Sequence, residues 1–242
     1  MDTATARGCP RARPMARLHL IVDADDTLWE NNIYFERAFD EFTEFLAHSS
    51  MQPHEVRDVL DEIEAVNAKI HGYGSVNFGR NLRECYRRLC ERDIDESDLV
   101  TVMSFAQRIL ERPVEVIDGV PETLEYLSSR HELTLFTKGH PDEQKLKIDR
   151  SGLAGHFAHT AIVKEKDCAA YTALVEERGL DRKRAWMIGN SPKSDINPAL
   201  ECGLNAVFVP HARTWVLEKE EIRPGQGTLI VVEGFAHLRN HF

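Results

Sequence analysis

Long apolar runs are missing from this 242-residue chain, and so is any excess of basic charge. No stretch has the length of a membrane span, which needs about 20 mostly apolar residues. Lys and Arg number 30 against 40 Asp and Glu, a formal net charge of -10. That balance speaks against nonspecific binding to nucleic acid or to an anionic membrane, both of which call for basic patches. Cysteine is sparse: Cys9, Cys85, Cys90, Cys168 and Cys202 make an odd count with no C-x-x-C pair. The expected state is scattered free thiols in a reducing cytoplasm. Cys85 with Cys90, and His156 with His159, lack the ligand density of a zinc site. No internal repeat is present. The Arg- and Pro-containing start has no apolar segment of the secretory kind. Residues 1–15 read as a disordered tail or an over-extended start, with Met15 as an alternative initiator.

What the chain does have is enough apolar residues for a core, 42%, and a concentrated acidic segment, LHLIVDADDTLW, at residues 18–29. An apolar run bounded by polar residues reads as a buried strand. Asp23, Asp25 and Asp26 crowd its end. Close carboxylates repel each other unless a cation joins them, and in open α/β sheets ligands bind at the C-terminal ends of strands. Asp23 and Asp25 alternate with Ala24, so an extended backbone points both the same way. Two such carboxylates can divide the labour of nucleophile and acid/base. Asp26 points elsewhere, as a turn residue or helix cap.

Three further segments end strands in chemistry-bearing residues. LTLFTKG at 133–139 ends in Thr137, Lys138 and Gly139, and Gly139 permits close backbone approach. IVKEKD at 162–167 offers Lys164 and Lys166, one of which suffices to neutralise a phosphate, and Asp167 as a helix N-cap. AWMIGNSPKSDINPA at 185–199 runs from a strand through Gly189 and Asn190 to Asp195 at the start of a helix.

Strand signals at about 18–22, 132–136, 159–163, 185–188, 205–209 and 228–232 alternate with helical patterns. The expected fold class is α/β, a doubly wound, mostly parallel sheet with helices on both faces. All four segments then fall at strand C-termini. Residues 31–115 interrupt this pattern with four helical stretches, about 33–48, 53–71, 78–92 and 96–111. In the first, Phe35, Phe39, Phe42 and Leu46 share one face. The expected organisation is a core of 16–30 and 116–242 with an inserted helical cap at 31–115, linked near 29–32 and 112–118. The glycine-rich loop expected at 71–80, HGYGSVNFGR, makes Arg80 a candidate contact for an anionic substrate group. Trp29, Asn31 and Asn32 could line the cleft, with hinge packing equally open for Trp29.

The first acidic segment resembles motif I of the haloacid dehalogenase (HAD) superfamily, D-x-D-G-T-L, with Asp26 where Gly is usual. The other three resemble motifs II, III and IV in order, over roughly residues 17–240. The resemblance implies a Rossmannoid HAD core with a C1-type cap. It implies Asp23 as nucleophile, Asp25 as acid/base, and Thr137, Lys166 and the backbone near Lys138 and Gly139 as phosphoryl-binding groups. Lys166 is preferred to Lys164 because relatives place this Lys directly before an acid that opens a helix. Mg2+ is implied on Asp23, the carbonyl of Asp25, and Asp195. Asn190 stands where an acid is usual, which lowers the expected affinity for the ion. The implied activity is a Mg2+-dependent phosphatase acting on a small phosphorylated metabolite through an aspartyl-phosphate. Haloacid dehalogenation shares the fold but lacks the second motif I Asp. A phosphomutase, and a non-catalytic phosphate-responsive protein favoured by Asn190, stay open, as do substrate and oligomeric state.

Overall fold

The computed structural model describes residues 17–242; the expectations for residues 1–15, Met15 and Cys9 included, lie outside them. Six strands form one parallel sheet: β1 (His19–Val22), β2 (Glu132–Lys138), β3 (His159–Val163), β4 (Ala185–Gly189), β5 (Asn205–Phe208) and β6 (Leu229–Val231), in spatial order β3-β2-β1-β4-β5-β6. This is the Rossmann-type order, whose ligand crevice opens where strand succession reverses. Here that point is the C-terminal end of β1, between β2 and β4.

Alternation along each strand divides the core. Leu20 and Val22 of β1 join Leu133, Leu135, Ile188 and Val207 on one face, under Val120, Leu124 and Leu127 of α5 (Val120–Ser128). Ile21 points the other way, to Phe136, Met187 and Tyr171. Tyr171 belongs to α7 (Cys168–Arg178). All four β1 residues are buried, and after His19 the run Leu20, Ile21 and Val22 is apolar rather than alternating.

Between β1 and β2 come four helices, α1 (Asn32–Leu46), α2 (Pro53–His71), α3 (Ser75–Leu89) and α4 (Glu96–Gln107), the last continued by a 3-10 turn, Arg108–Glu111. They bury a core of their own, with Phe39, Phe42, Leu60, Ile63, Leu82, Tyr86 and Val102 at its centre. The bundle joins the sheet through two chain segments that run side by side. Glu30 N–H donates to Glu115 O at 2.9 Å, and Ile117 N–H to Leu28 O at 3.0 Å.

Two expectations change. The loop expected at 71–80 is only three residues long, 72–74, because Gly72 and Gly74, at φ 76° and 112°, turn the chain and α3 begins at Ser75. Gly79 is helical instead: a Cβ there would lie 3.1 Å from Ala106 Cβ and Met103 Cε, so its role is close helix–helix approach. The cysteines are not all free either. Cys168, opening α7, and Cys202, just after α8 (Asn197–Glu201), lie 5.7 Å apart between Cα atoms and are joined as a disulfide. Packing of α7 on α8 creates that proximity across 34 residues of sequence. Cys85 and Cys90 are unpaired. Among the described residues no helix is long and apolar enough to cross a membrane.

Candidate active site at the sheet switch point

Asp23 is the first residue past β1, and its N–H still bonds Ile188 O at 2.9 Å, so the strand ladder fixes its position. The chain then turns: Leu28 N–H reaches back to Ala24 O at 2.8 Å, and Asp26 takes φ 58°. Asp is among the few non-glycine residues that tolerate this conformation. Asp26 is therefore a turn residue whose carboxylate receives the N–H groups of Asn31 and Asn32 at 2.8 and 3.0 Å, at the start of α1. Burial raises its pKa to about 6 against the pull of those two N–H groups.

Asp23 and Asp195 flank one lysine. Lys166 Nζ is 2.5 Å from Asp23 Oδ1 and 2.8 Å from Asp195 Oδ1, with its side chain 1% exposed. Lys164 is exposed, which distinguishes the two candidate lysines. Burial opposes the charge on Lys166, but Asp195 and Asp23 raise its pKa nonetheless. Asp195 is raised to about 7, first by burial and then by the Asp23 charge. Its other oxygen accepts from Ser191 N–H at 2.9 Å. Gly189 makes this close packing possible, since a Cβ there would lie 2.2 Å from Asp195 Oδ2. Thr27 Oγ donates to Asp23 Oδ2 at 2.8 Å and lies 3.2 Å from Asn190 Oδ1, so the amide oxygen faces the same carboxylate. Asn190 Nδ2 donates to Thr214 at 3.0 Å.

Asp25 is held by a separate set. Lys147 Nζ lies 2.6 Å from both of its oxygens, Trp29 Nε1 donates to Oδ1 at 2.7 Å, and Gln144 Nε2 donates to Oδ2 at 3.0 Å. Trp29 is 1% exposed and serves both the hinge and this carboxylate. Gln144 also reaches Thr137 Oγ at 2.6 Å. Gln144 and Lys147 lie three apart on α6 (Pro141–Ser151), one face of which is aimed at the cleft. Sequence reasoning misses both, since the only signal for them is this spacing just after Thr137-Lys138-Gly139. Gly139 has φ 147°, and a Cβ there would sit 3.0 Å from Gln144 Cγ, so glycine is required.

Lys138, expected to bind phosphate through its backbone, has its side chain engaged elsewhere. Its ammonium is paired with Glu218 Oε1 at 2.5 Å, bonds Ser194 Oγ at 2.9 Å, and lies 4.2 Å from the Tyr73 ring centroid. Burial works against Glu218 ionisation, but Lys138 and the hydroxyls of Ser191 and Ser194 hold its pKa below the usual range. Arg80 departs from its expected place. It is exposed on α3, bonds only its neighbour Asn77 Oδ1 at 2.9 Å, and does not line the cleft. The early start of α3 is the cause: Asn77, Phe78 and Asn81 face the cleft from that helix and Arg80 does not.

The cleft that gathers these groups has a volume of about 160 Å³ and is walled by both the sheet ends and the helical bundle. Tyr73 closes one side, donating to Glu165 Oε2 at 2.7 Å and packing edge-on to Trp215. Two buried carboxylates with an amide oxygen beside them are a hard-oxygen donor set, and their mutual repulsion favours a cation. Asp23, Asp195 and Asn190 therefore fit Mg2+ chemically. A different group, Asp26, Glu30 and His211, also brings ligand atoms within 4.8 Å of one another. There Asp26 already receives two N–H groups and Glu30 faces Arg213.

With this geometry in place, comparison is informative. The family profile of haloacid dehalogenase-like hydrolases matches residues 19–203, and the chain belongs to that family of hydrolases. A haloacid dehalogenase-like family hydrolase from Xanthomonas campestris is 28% identical, with a TM-score of 0.79 over 93% of this chain and 94% of that one. A 2-haloacid dehalogenase from Pseudomonas syringae pv. tomato is 18% identical, with a TM-score of 0.60 over 93% and 97%. A phosphoserine phosphatase from Thermus thermophilus is 32% identical over 82 residues, 32% of this chain and 33% of that protein. The fold is thus shared with dehalogenases and leaves the leaving group, halide or alcohol, to be argued from the site.

Proposed function

We propose that the chain is a Mg2+-dependent phosphatase acting on a small phosphate monoester, with residues 31–115 as a C1-type cap over the site. The observation that carries this reading is Asp25. Displacing halide from carbon needs one carboxylate nucleophile and no proton for the leaving group. Asp25 is a second cleft carboxylate, held by Lys147, Trp29 and Gln144. An alkoxide leaving group gives it a task. The 82-residue similarity to a phosphoserine phosphatase points the same way.

Asp23 attacks phosphorus, the bond to the leaving oxygen breaks, and an aspartyl-phosphate forms. The proton that the Lys147–Asp25 pair holds passes through Asp25 to the leaving oxygen. Asp25 then takes a proton from the water that attacks the aspartyl-phosphate, which releases phosphate and restores Asp23. Lys166 and Thr137 offset and orient the phosphoryl oxygens, with backbone N–H groups near Lys138 and Gly139. Asp23, Asp195, the Asp25 carbonyl and Asn190 would hold Mg2+, which would supply charge neutralisation and alignment.

The test is hydrolysis of p-nitrophenyl phosphate with Mg2+ or with a chelator, by the wild-type chain and by Asp23→Asn, alongside halide release from 2-chloropropionate. Metal-dependent phosphate release that Asp23→Asn abolishes is expected. Halide release without phosphate release would assign the dehalogenase chemistry instead.

A further inference from the structure

Among the cleft carboxylates that have no part in this chemistry, Glu64 stands apart. Glu64, on α2, is 6% exposed and lines the same cleft as Asp23 and Lys166. Its Oε2 is buried without a hydrogen-bond partner. An orphaned buried carboxylate oxygen is costly, and native structures keep such atoms where a ligand or water completes them.

The surroundings indicate the sign of the missing partner. Glu36, Asp61 and Glu64 share a single cation, Arg57. Its Nη2 is 3.1 Å from Glu36 Oε1 and its Nε 2.9 Å from Asp61 Oδ1, while its guanidinium lies 4.9 Å from the Phe39 ring centroid. Arg57 is thereby held to the first two carboxylates and leaves Glu64 without a direct contact; its Nη1 is likewise unpartnered. Three acids thus share one base, and of these four residues Arg57 and Glu64 line the cleft. Burial raises Glu64 to about 7 despite the pull of Arg57 and a hydrogen bond with Trp215. Asn77 and Asn81 line the cleft from α3. The phosphoryl end of the same cleft holds Lys166 and Lys147. Those two lysines are paired with Asp23, Asp195 and Asp25, whereas Glu64 at the cap wall keeps an oxygen without a partner.

We infer that Glu64 receives a primary ammonium on the substrate's leaving group, so that the preferred substrates are amino-alkyl phosphate monoesters. This rests on the phosphatase reading. An ammonium supplies three donors, one of which would complete Glu64 Oε2. A charge-assisted bond in a closed cleft also discriminates well against isosteres, because an uncharged or anionic head leaves Glu64 unpaired.

The experiment uses the full chain with Mg2+. Values of kcat/KM are measured for O-phosphoethanolamine, its neutral counterpart 2-hydroxyethyl phosphate, anionic phosphoglycolate and p-nitrophenyl phosphate, in wild type and in Glu64→Gln. Wild type is expected to prefer the amine ester over its hydroxyl counterpart by about tenfold or more, the scale of one charge-assisted hydrogen bond. Glu64→Gln should erase that preference mainly through KM, with a loss at least about tenfold greater on the amine ester than on the aryl ester. Calorimetric binding of 2-aminoethylphosphonate against ethylphosphonate reads the head group without turnover. Aryl phosphate hydrolysis with no amine preference, or an equal loss on all esters, would overturn the ammonium assignment and leave the phosphatase reading standing. If no ester is hydrolysed, that reading fails, and equal binding of the two phosphonates would then overturn the ammonium site as well.

Discussion

Replacing Lys166 by Met keeps most of the side-chain volume and removes the one ammonium between Asp23 and Asp195. The side chain is 1% exposed, as is that of Asp195, and both Nζ contacts are within 2.8 Å, so solvent cannot take over the lost role. Removing one member of a buried ion pair costs about 3–5 kcal/mol, chiefly from the charge left behind. Two carboxylates share this lysine, which places the expected loss toward the upper end. At about 2–4 °C per kcal/mol for a chain of this size, the melting temperature should fall by roughly 6–20 °C at pH 8 in chelator. The sign of the pH dependence follows from Asp195. With Lys166 present its pKa is already about 7. A carboxyl whose folded pKa lies above its unfolded value opposes folding above the folded pKa, and that penalty fades as pH falls toward the unfolded value. Without the ammonium Asp195 is raised further, so Lys166→Met should regain stability on acidification through pH 7 more than wild type does. Saturating Mg2+ should restore part of the loss at pH 8. Thermal denaturation followed by circular dichroism at pH 8 and pH 5.5 measures all three. A variant melting within about 2 °C of wild type at pH 8 in chelator, less than the shift from 1 kcal/mol, would refute the buried-pair account.

The other expectations are independent of one another. Asp25→Ala should lower turnover of alkyl phosphates by about 10²-fold or more and of aryl phosphates by less, since a good leaving group needs little protonation; steady-state rates on both classes decide it, and equal losses count against the acid role. Asn190→Asp restores an anionic oxygen beside Asp23 and should lower the Mg2+ concentration for half-maximal activity, read by titration; an unchanged midpoint would mean the side chain faces away from the ion. Gly189→Ala puts a Cβ 2.2 Å from Asp195 Oδ2, so it should cut both melting temperature and Mg2+-dependent activity, and normal values for both would contradict the packing described. Phe42→Ala empties the centre of the helical bundle, where Phe42 is 0% exposed, and should cost about 3–5 kcal/mol by denaturant unfolding.

Local chemistry makes much of this protein legible in its residue order alone. A strand such as residues 19–22 announces itself by an unbroken apolar run, and the acids after it must lie at its end because the chain is continuous there. The six strands, the four inserted helices, the cap role of Asp167 toward Ala170 N–H, the positions of Asp23, Thr137 and Lys166 near strand ends, and that of Asp195 in the helical turn after β4 all follow from such short-range order. Tertiary structure decided what depends on contacts across tens to hundreds of residues. Lys166 meets Asp23 143 residues away, and Lys147 meets Asp25 122 residues away, only because β1 lies between β2 and β4. The same holds for Lys138, whose charge is consumed by Glu218, and for Cys168 and Cys202, brought together by two helices. Arg80 shows the limit from the other side. The glycines around it suggest a loop, but Gly79 is there for helix packing. One turn of helix carries the guanidinium away from the cleft, while Glu64, an ordinary acid in a charged helix, lies inside it with an unpartnered oxygen.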